Sequence, residues 1–218
     1  MMCMLDVSIR NPLLIKVLEE FAHSILIDTP RATLDTLRYQ DSEKDIDCEE
    51  GCSREYLDSL LSKEATYSGW PRASLGFDIN TAKSEYTPKN WVDSAKQLDN
   101  GVMEAIGVGF SALKMYYPAK GYIGWHNNCN CPGQNLLLTY SKSGDGYFEY
   151  MNPISKEIIR MNDRPGWTAK VGYYGSDREP DKIMWHCAKT YEPRLTVSYV
   201  IRDQSMWEYM VEDIQSDQ

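Results

Sequence analysis

The sequence predicts a mainly β fold with flanking α-helices. Eight short runs rich in β-branched and aromatic residues, separated by Gly, Pro, Asn and Asp, fill about 95 residues of the second half. In the first half, apolar residues recur instead at three- and four-residue spacing, the mark of helices laid on a core. The closing run DQSMWEYMVEDIQ returns to helical spacing through Met206, Tyr209, Met210 and Ile214.

NPLLIKVLEEFAHSILIDT sets Leu14, Val17, Leu18, Phe21 and Ile25 on one helical face. His23 on that helix has no partner at metal-ligand spacing and reads as structural. Pro30 to Gln40 reads as a second helix. SREYLDSLLSKEA reads as a third, capped by Ser53, with Tyr56, Leu57, Leu60 and Leu61 as its apolar face. Between these two, DSEKDIDCEEGC reads as a solvated acidic loop. Tyr67 to Lys89 has no clear period and reads as an irregular connection over the core. A helix from Asn90 to Ile106 follows, bent near Asn100 and Gly101. The strand runs are VGFSALKMYYP, GYIGWH, QNLLLTYS, GYFEYM, KEIIRM, TAKVGYYG, KIMWHC and RLTVSYVI, an all-β sandwich or barrel. Residues 1–106 thus form a helical part that packs on the core without clear independence, and 107–218 form the β core with its C-terminal helix.

A chain of 218 residues, 42% hydrophobic and 25% charged, is long enough to bury a full core. Its net charge of -9 removes the basic footprint that strong phosphate-backbone binding needs, so nonspecific nucleic-acid binding is not expected. The acidity is uneven, -7 over Met1–Thr66 and -2 over Tyr67–Gln218, and the nearly neutral β half can accept an anionic ligand. No apolar run approaches the roughly 18–20 residues of a bilayer span, and MMCMLDVSIRNP lacks the apolar stretch of a secretory leader. The expectation is a cytoplasmic protein with no membrane partner. The six cysteines accordingly read as reduced thiols, with Cys48 and Cys52 incidental.

His126 and His186 each end a short strand, sixty positions apart, and meet only if the sheet folds back on itself as a jelly roll does. Two imidazoles on facing strands would form two corners of a transition-metal site. Eight residues past His186, Arg194 shares a strand face with Thr196 and Ser198. A buried guanidinium needs a partner, and no acidic residue lies along this strand before Asp203. A bound carboxylate would supply the charge in bidentate geometry. The plain alternative is that this face is the outer one and Arg194 is solvated.

The series YYPAKGYIGWHNN, QNLLLTYSKSGDGYFEY and KIMWHCAKTYEPRLTVSYVI resembles the iron(II)/2-oxoglutarate-dependent oxygenases, in their prolyl-4-hydroxylase-like branch, over about Ser111 to Arg202. The resemblance implies a double-stranded β-helix (jelly roll, cupin-like) core with N-terminal helices and a C-terminal helix. It implies a dioxygenase that uses Fe(II), 2-oxoglutarate and O2 to hydroxylate a C–H bond of an unidentified small-molecule or peptide substrate, releasing succinate. His126 and His186 match the metal ligands, Arg194 the residue that holds the distal carboxylate of 2-oxoglutarate, and Thr196 a hydroxyl beside it. Tyr117 and Tyr140 match tyrosines that line the cosubstrate pocket, while Trp125 and Trp185 read as packing in the barrel wall.

One position departs from the pattern. Where the family has aspartate two residues after the first histidine, this chain has Asn128, the His-x-Asn form of a phage-type member. An amide oxygen is neutral, so it would leave a charge on the metal uncompensated. Three readings stay open: Asn128 as a weak ligand, a carboxylate from elsewhere with Asp145 or Glu149 nearest, or a degenerate site. A rival draws on His126, Cys129, Cys131 and His186 as a closed structural zinc site, and another is a metal-free ligand-binding jelly roll. The Cys-x-Cys spacing is short for zinc, and Asn130 and Pro132 suggest a turn there.

Overall fold

The computed structural model describes residues 4–37, 40–41, 46–63, 69, 71–80 and 87–217. The strands are β1 (Met4–Val7), β2 (Gln40–Asp41), β3 (Ser74–Asp78), β4 (Ser111–Tyr117), β5 (Tyr122–His126), β6 (Gly133–Ser141), β7 (Gly146–Met151), β8 (Ile158–Asn162), β9 (Gly166–Tyr174), β10 (His186–Thr190) and β11 (Arg194–Ile201). The helices are α1 (Pro12–Leu26), α2 (Arg31–Leu34), α3 (Cys48–Gly51), α4 (Arg54–Leu61), α5 (Lys89–Ile106) and α6 (Gln204–Gln215). Seven of the eight strand runs of the second half and the C-terminal helix are present; the run KIMWHC is corrected, since β10 begins at His186 and continues to Thr190 instead of ending at the histidine.

Strand order is β1-β9-β6-β11-β4-β3-β5-β10-β7-β8, with β2 on β3 and every pairing antiparallel. Because β3 pairs with both β4 and β5, the sheet curls into two facing walls joined at that strand. The result is mainly β with flanking helices, a jelly-roll, cupin-like core. Both walls are covered on their outer faces. Leu136, Leu138, Leu195, Val197 and Tyr199 of the first wall pack on Leu14, Leu18, Phe21 and Ile25 of α1 and on Trp91, Leu98, Val102 and Ile106 of α5. Each such fully buried side chain contributes about 1.5–3 kcal/mol. Trp125, Trp185 and Cys187 of the second wall pack on Leu57 and Leu60 of α4, so both tryptophans sit in the wall as expected.

Helix ends follow local chemistry. Asn11 caps α1, accepting from the Leu14 amide, and also donates to Asp213 and Ala105 carbonyls at 3.2 Å. The Arg10 amide donates to the Ile214 carbonyl at 2.8 Å, which ties the start of the chain to α6. Ser53 caps α4 as predicted, and Gly107, at φ 70°, ends α5.

Several expectations for the first half are corrected. The helix through Asn100 and Gly101 is continuous from Lys89 to Ile106. A Cβ at Gly101 would lie 2.4 Å from Val17 Cγ1, so the glycine serves the close approach of α1 to α5 rather than a bend. The connection from Tyr67 to Lys89 contains β3, whose residues are mostly buried, while 67–68, 70 and 81–86 lie outside the described residues. The helix expected from Pro30 to Gln40 contracts to α2, followed by β2, and 38–39 lie outside the described residues. Part of the acidic loop is α3, capped by Asp47, with Cys48 buried; 42–45 lie outside the described residues. Strand β1 was hidden in a run too short to show a period. Among the described residues, no helix is long and apolar enough to cross a membrane.

Candidate active site

A cavity of about 230 Å³ lies between the walls, lined among others by His126, Asn128, His186, Tyr117, Arg194, Thr196 and Ser198. His126 and His186 are directly opposite in the β5–β10 ladder, with ring centroids 4.1 Å apart. The two strands are joined by an irregular step between His186 and Ala188, beside the histidine pair. Each imidazole turns Nδ1 to the carbonyl two residues earlier, His126 to Gly124 at 2.8 Å and His186 to Met184 at 3.1 Å. A carbonyl only accepts, so Nδ1 carries the proton and Nε2 keeps a lone pair. Burial pushes the His126 pKa down to about 4 and the His186 pKa well below its ordinary value, so both rings are neutral near pH 7. Neutral, oriented imidazole is the form that binds a metal.

Asn128 follows two residues on and lines the same cavity. Asp145 and Glu149 do not serve as a third ligand. Glu149 pairs with Cys187 on the opposite face of the ladder, where Arg160 donates to its carboxylate at 2.6 Å. Asp145 lies in the turn before β7, its carbonyl engaged by Tyr191 and Thr190. The closed zinc site does not form either. The Cys129 amide bonds to Asn127 Oδ1 and the Cys131 amide to the Asn128 carbonyl, the turn that Asn130 and Pro132 suggested. Among the described residues, no three His, Cys, Asp or Glu side chains cluster to hold a metal. Two imidazole lone pairs, with the neutral Asn128 lining the same cavity, are the groups that could hold a divalent transition ion, and none of them would offer it charge.

At the other end, Arg194 is 1% exposed and faces inward, which removes the solvated-face alternative. Its protein partner corrects the expectation that a ligand alone would neutralise it. Asp163, just past β8, accepts from Arg194 Nε at 2.8 Å and from Nη2 at 3.4 Å. Lys170 of β9 stands 3.8 Å from the same carboxylate, and the side chains of all three are at most 1% exposed. Burial holds the Lys170 pKa below its ordinary value, with Asp163 offsetting part of that shift. Tyr117 lies under the guanidinium, 5.7 Å from ring centroid to Arg194 Cζ, and burial pushes its hydroxyl pKa up.

Thr196 faces the cavity as expected, and its Oγ1 is buried with no hydrogen-bond partner. Tyr140 is corrected. It lies opposite Leu195, on the outward face of the wall, and packs on Trp167 at 5.5 Å in a separate groove with α1. Sequence reasoning also missed Tyr174, whose ring sits 4.8 Å from that of His186, together with Phe148 and Asn135 in the lining.

No protein-family model matches the chain, and no curated protein matches it. Solved structures similar to it include two prolyl hydroxylases. One is a Pseudomonas putida prolyl-4-hydroxylase, 12% identical over 88% of this chain and 100% of that chain, with a TM-score of 0.34. The other is a Trichoplax adhaerens prolyl hydroxylase in complex with a hypoxia inducible factor oxygen degradation domain peptide fragment, 11% identical over 86% of this chain and 94% of that chain, with a TM-score of 0.36. Likeness at these TM-scores carries no argument about activity, which has to come from the side chains.

Proposed function

We propose that the protein is an Fe(II)/2-oxoglutarate-dependent dioxygenase that hydroxylates a C–H bond of a small-molecule or peptide substrate. The observation that carries this reading is one cavity with two lone-pair imidazoles at one end and an inward arginine at the other. His126, His186 and the Asn128 amide oxygen would hold the metal. Bound iron and 2-oxoglutarate would supply oxidation of the substrate with O2, with 2-oxoglutarate converted to succinate and carbon dioxide.

The chain's own residues orient and enclose. The Gly124 and Met184 carbonyls fix the tautomer of each histidine and aim its Nε2. Arg194 offers N–H groups not used by Asp163 to the distal carboxylate, and the Thr196 hydroxyl, otherwise orphaned, donates beside it. Phe148 and Tyr174, packed on His186, keep water from the metal end.

The test is anaerobic addition of Fe(II) and 2-oxoglutarate to the full chain. A weak visible absorption band from the chelate is expected, and it disappears in Arg194→Ala. Absence of the band in a protein that retains tight zinc would sink the reading. The neutral Asn128 favours one second reading, a jelly roll that binds the same ligands without turnover. Succinate formation from 2-oxoglutarate separates the two.

A further inference from the structure

Beside the cavity lies a group of buried polar atoms that protein contacts leave unbalanced. Arg194, Asp163 and Lys170 are buried together, two cations around one carboxylate. Lys170 Nζ has no hydrogen-bond partner, and neither has Thr139 Oγ1 or Thr196 Oγ1. These orphans are neighbours. Thr139 is paired with Thr196 across β6 and β11, and Lys170 with Leu137, a cavity-lining residue, across β9 and β6. Directly paired residues share a face, so all three stand on the inner side of the wall with Arg194. Buried polar atoms in native proteins are satisfied, and a cluster of unsatisfied donors beside a surplus cation points to an anion.

We propose that Lys170 is a positioning residue that, by sharing Asp163 with Arg194, keeps one net positive charge at this end of the cavity and so selects a ligand with a carboxylate there. Without Lys170, Asp163 would cancel Arg194 and the cavity would end in a neutral pair. The inference rests on the reading that Arg194 meets the distal carboxylate of the cosubstrate. It adds that affinity follows the charge count of the triad rather than Arg194 alone.

Calorimetric titration of the metal-free full chain with glutarate tests it, because glutarate has both carboxylates, lacks the keto group and needs no metal. Pentanamide, with no carboxylate, is the control. The wild type is expected to bind glutarate at least tenfold more tightly than pentanamide. Lys170→Met should weaken glutarate by tenfold or more while folding normally, since methionine fills the same buried space and Asp163 keeps its bonds to Arg194. Asp163→Asn should tighten it, and the Asp163→Asn/Lys170→Met double variant, with one net charge restored, should return to within about threefold of wild type. Should Asp163→Asn fail to fold, the double variant and Lys170→Met still decide. Equal affinities of wild type and Lys170→Met, with binding lost in Arg194→Ala, overturn this inference and spare the cosubstrate reading. No glutarate binding by wild type overturns both. A charge-following pattern without the iron chelate band removes the oxygenase reading and leaves a dicarboxylate site.

Discussion

The two ends of the cavity are built from the two walls and are opposite in electrostatic design. The histidine end, from β5 and β10, holds neutral groups: two imidazoles stripped of protons by burial and one amide. The arginine end, from β9 and β11, holds three formal charges in a space closed to solvent. On the proposed reading, a divalent ion at the first end would find lone pairs but no counter-charge, and an anion at the second would find a counter-charge already in place. The negative charge such a metal needs would then arrive with a chelating ligand held at the second end.

The largest effect should come from breaking the charged end. Arg194→Ala removes both hydrogen bonds of the buried Asp163 and leaves it only the Lys170 ammonium at 3.8 Å, and it should destabilise the protein by about 3–5 kcal/mol in urea denaturation. A loss below 1 kcal/mol would mean that the triad is open to water.

The neutral end is tested by pH. Both histidines have folded-state pKa values below their ordinary 6.5, so the unfolded chain binds protons that the folded chain refuses. Stability of the metal-free protein should therefore fall as pH drops from about 6.5 towards 4. A His126→Gln/His186→Gln variant should show a flatter profile over the same window. Parallel profiles would show that the rings protonate freely in the fold.

Adding charge to the neutral end should sharpen the contrast. Asn128→Asp is expected to raise Mn(II) affinity about tenfold or more, about 1.4 kcal/mol, measured by calorimetry. An unchanged affinity would remove position 128 from the ligand set. The smallest effects separate two tyrosines. Tyr117→Phe should weaken 2-oxoglutarate binding a few-fold, the worth of one hydrogen bond of roughly 0.5–1.5 kcal/mol. Tyr140→Phe, on the outer face, should leave binding unchanged in the same titration.

The strand-rich half was legible because its runs are short, punctuated and β-branched, and the pairing of His126 with His186 followed from a sheet that folds back on itself. The face of each strand was less so. In β6 both faces are buried, so Leu136, Leu138 and Tyr140 alternate with Asn135, Leu137 and Thr139 without a solvent-facing row to set the parity. The pocket role of Tyr140 comes from the resemblance alone, and the alternation in β6 offers nothing to check it. The sequence leaves Arg194 open between a buried and a solvated face, and its contact with Asp163 across 31 positions has no local signature. Lys170, inside an apolar run, could be singled out only once β9 was paired with β6. Gly101 reads as a helix breaker by propensity, and tertiary packing against Val17 overrides that tendency.

The pairing of the chain's first strand with β9, and the bonds from Arg10 and Asn11 to Ile214 and Asp213, also bear on how the protein is made. Met4 cannot meet Gly172, nor Arg10 meet Ile214, until those later residues have been made. Closing contacts of such long sequence separation costs loop entropy before it is repaid, so these contacts should close late and slowly. In that interval the free edge of β9 is an open template for other strands, and β1 acts as its intramolecular guard.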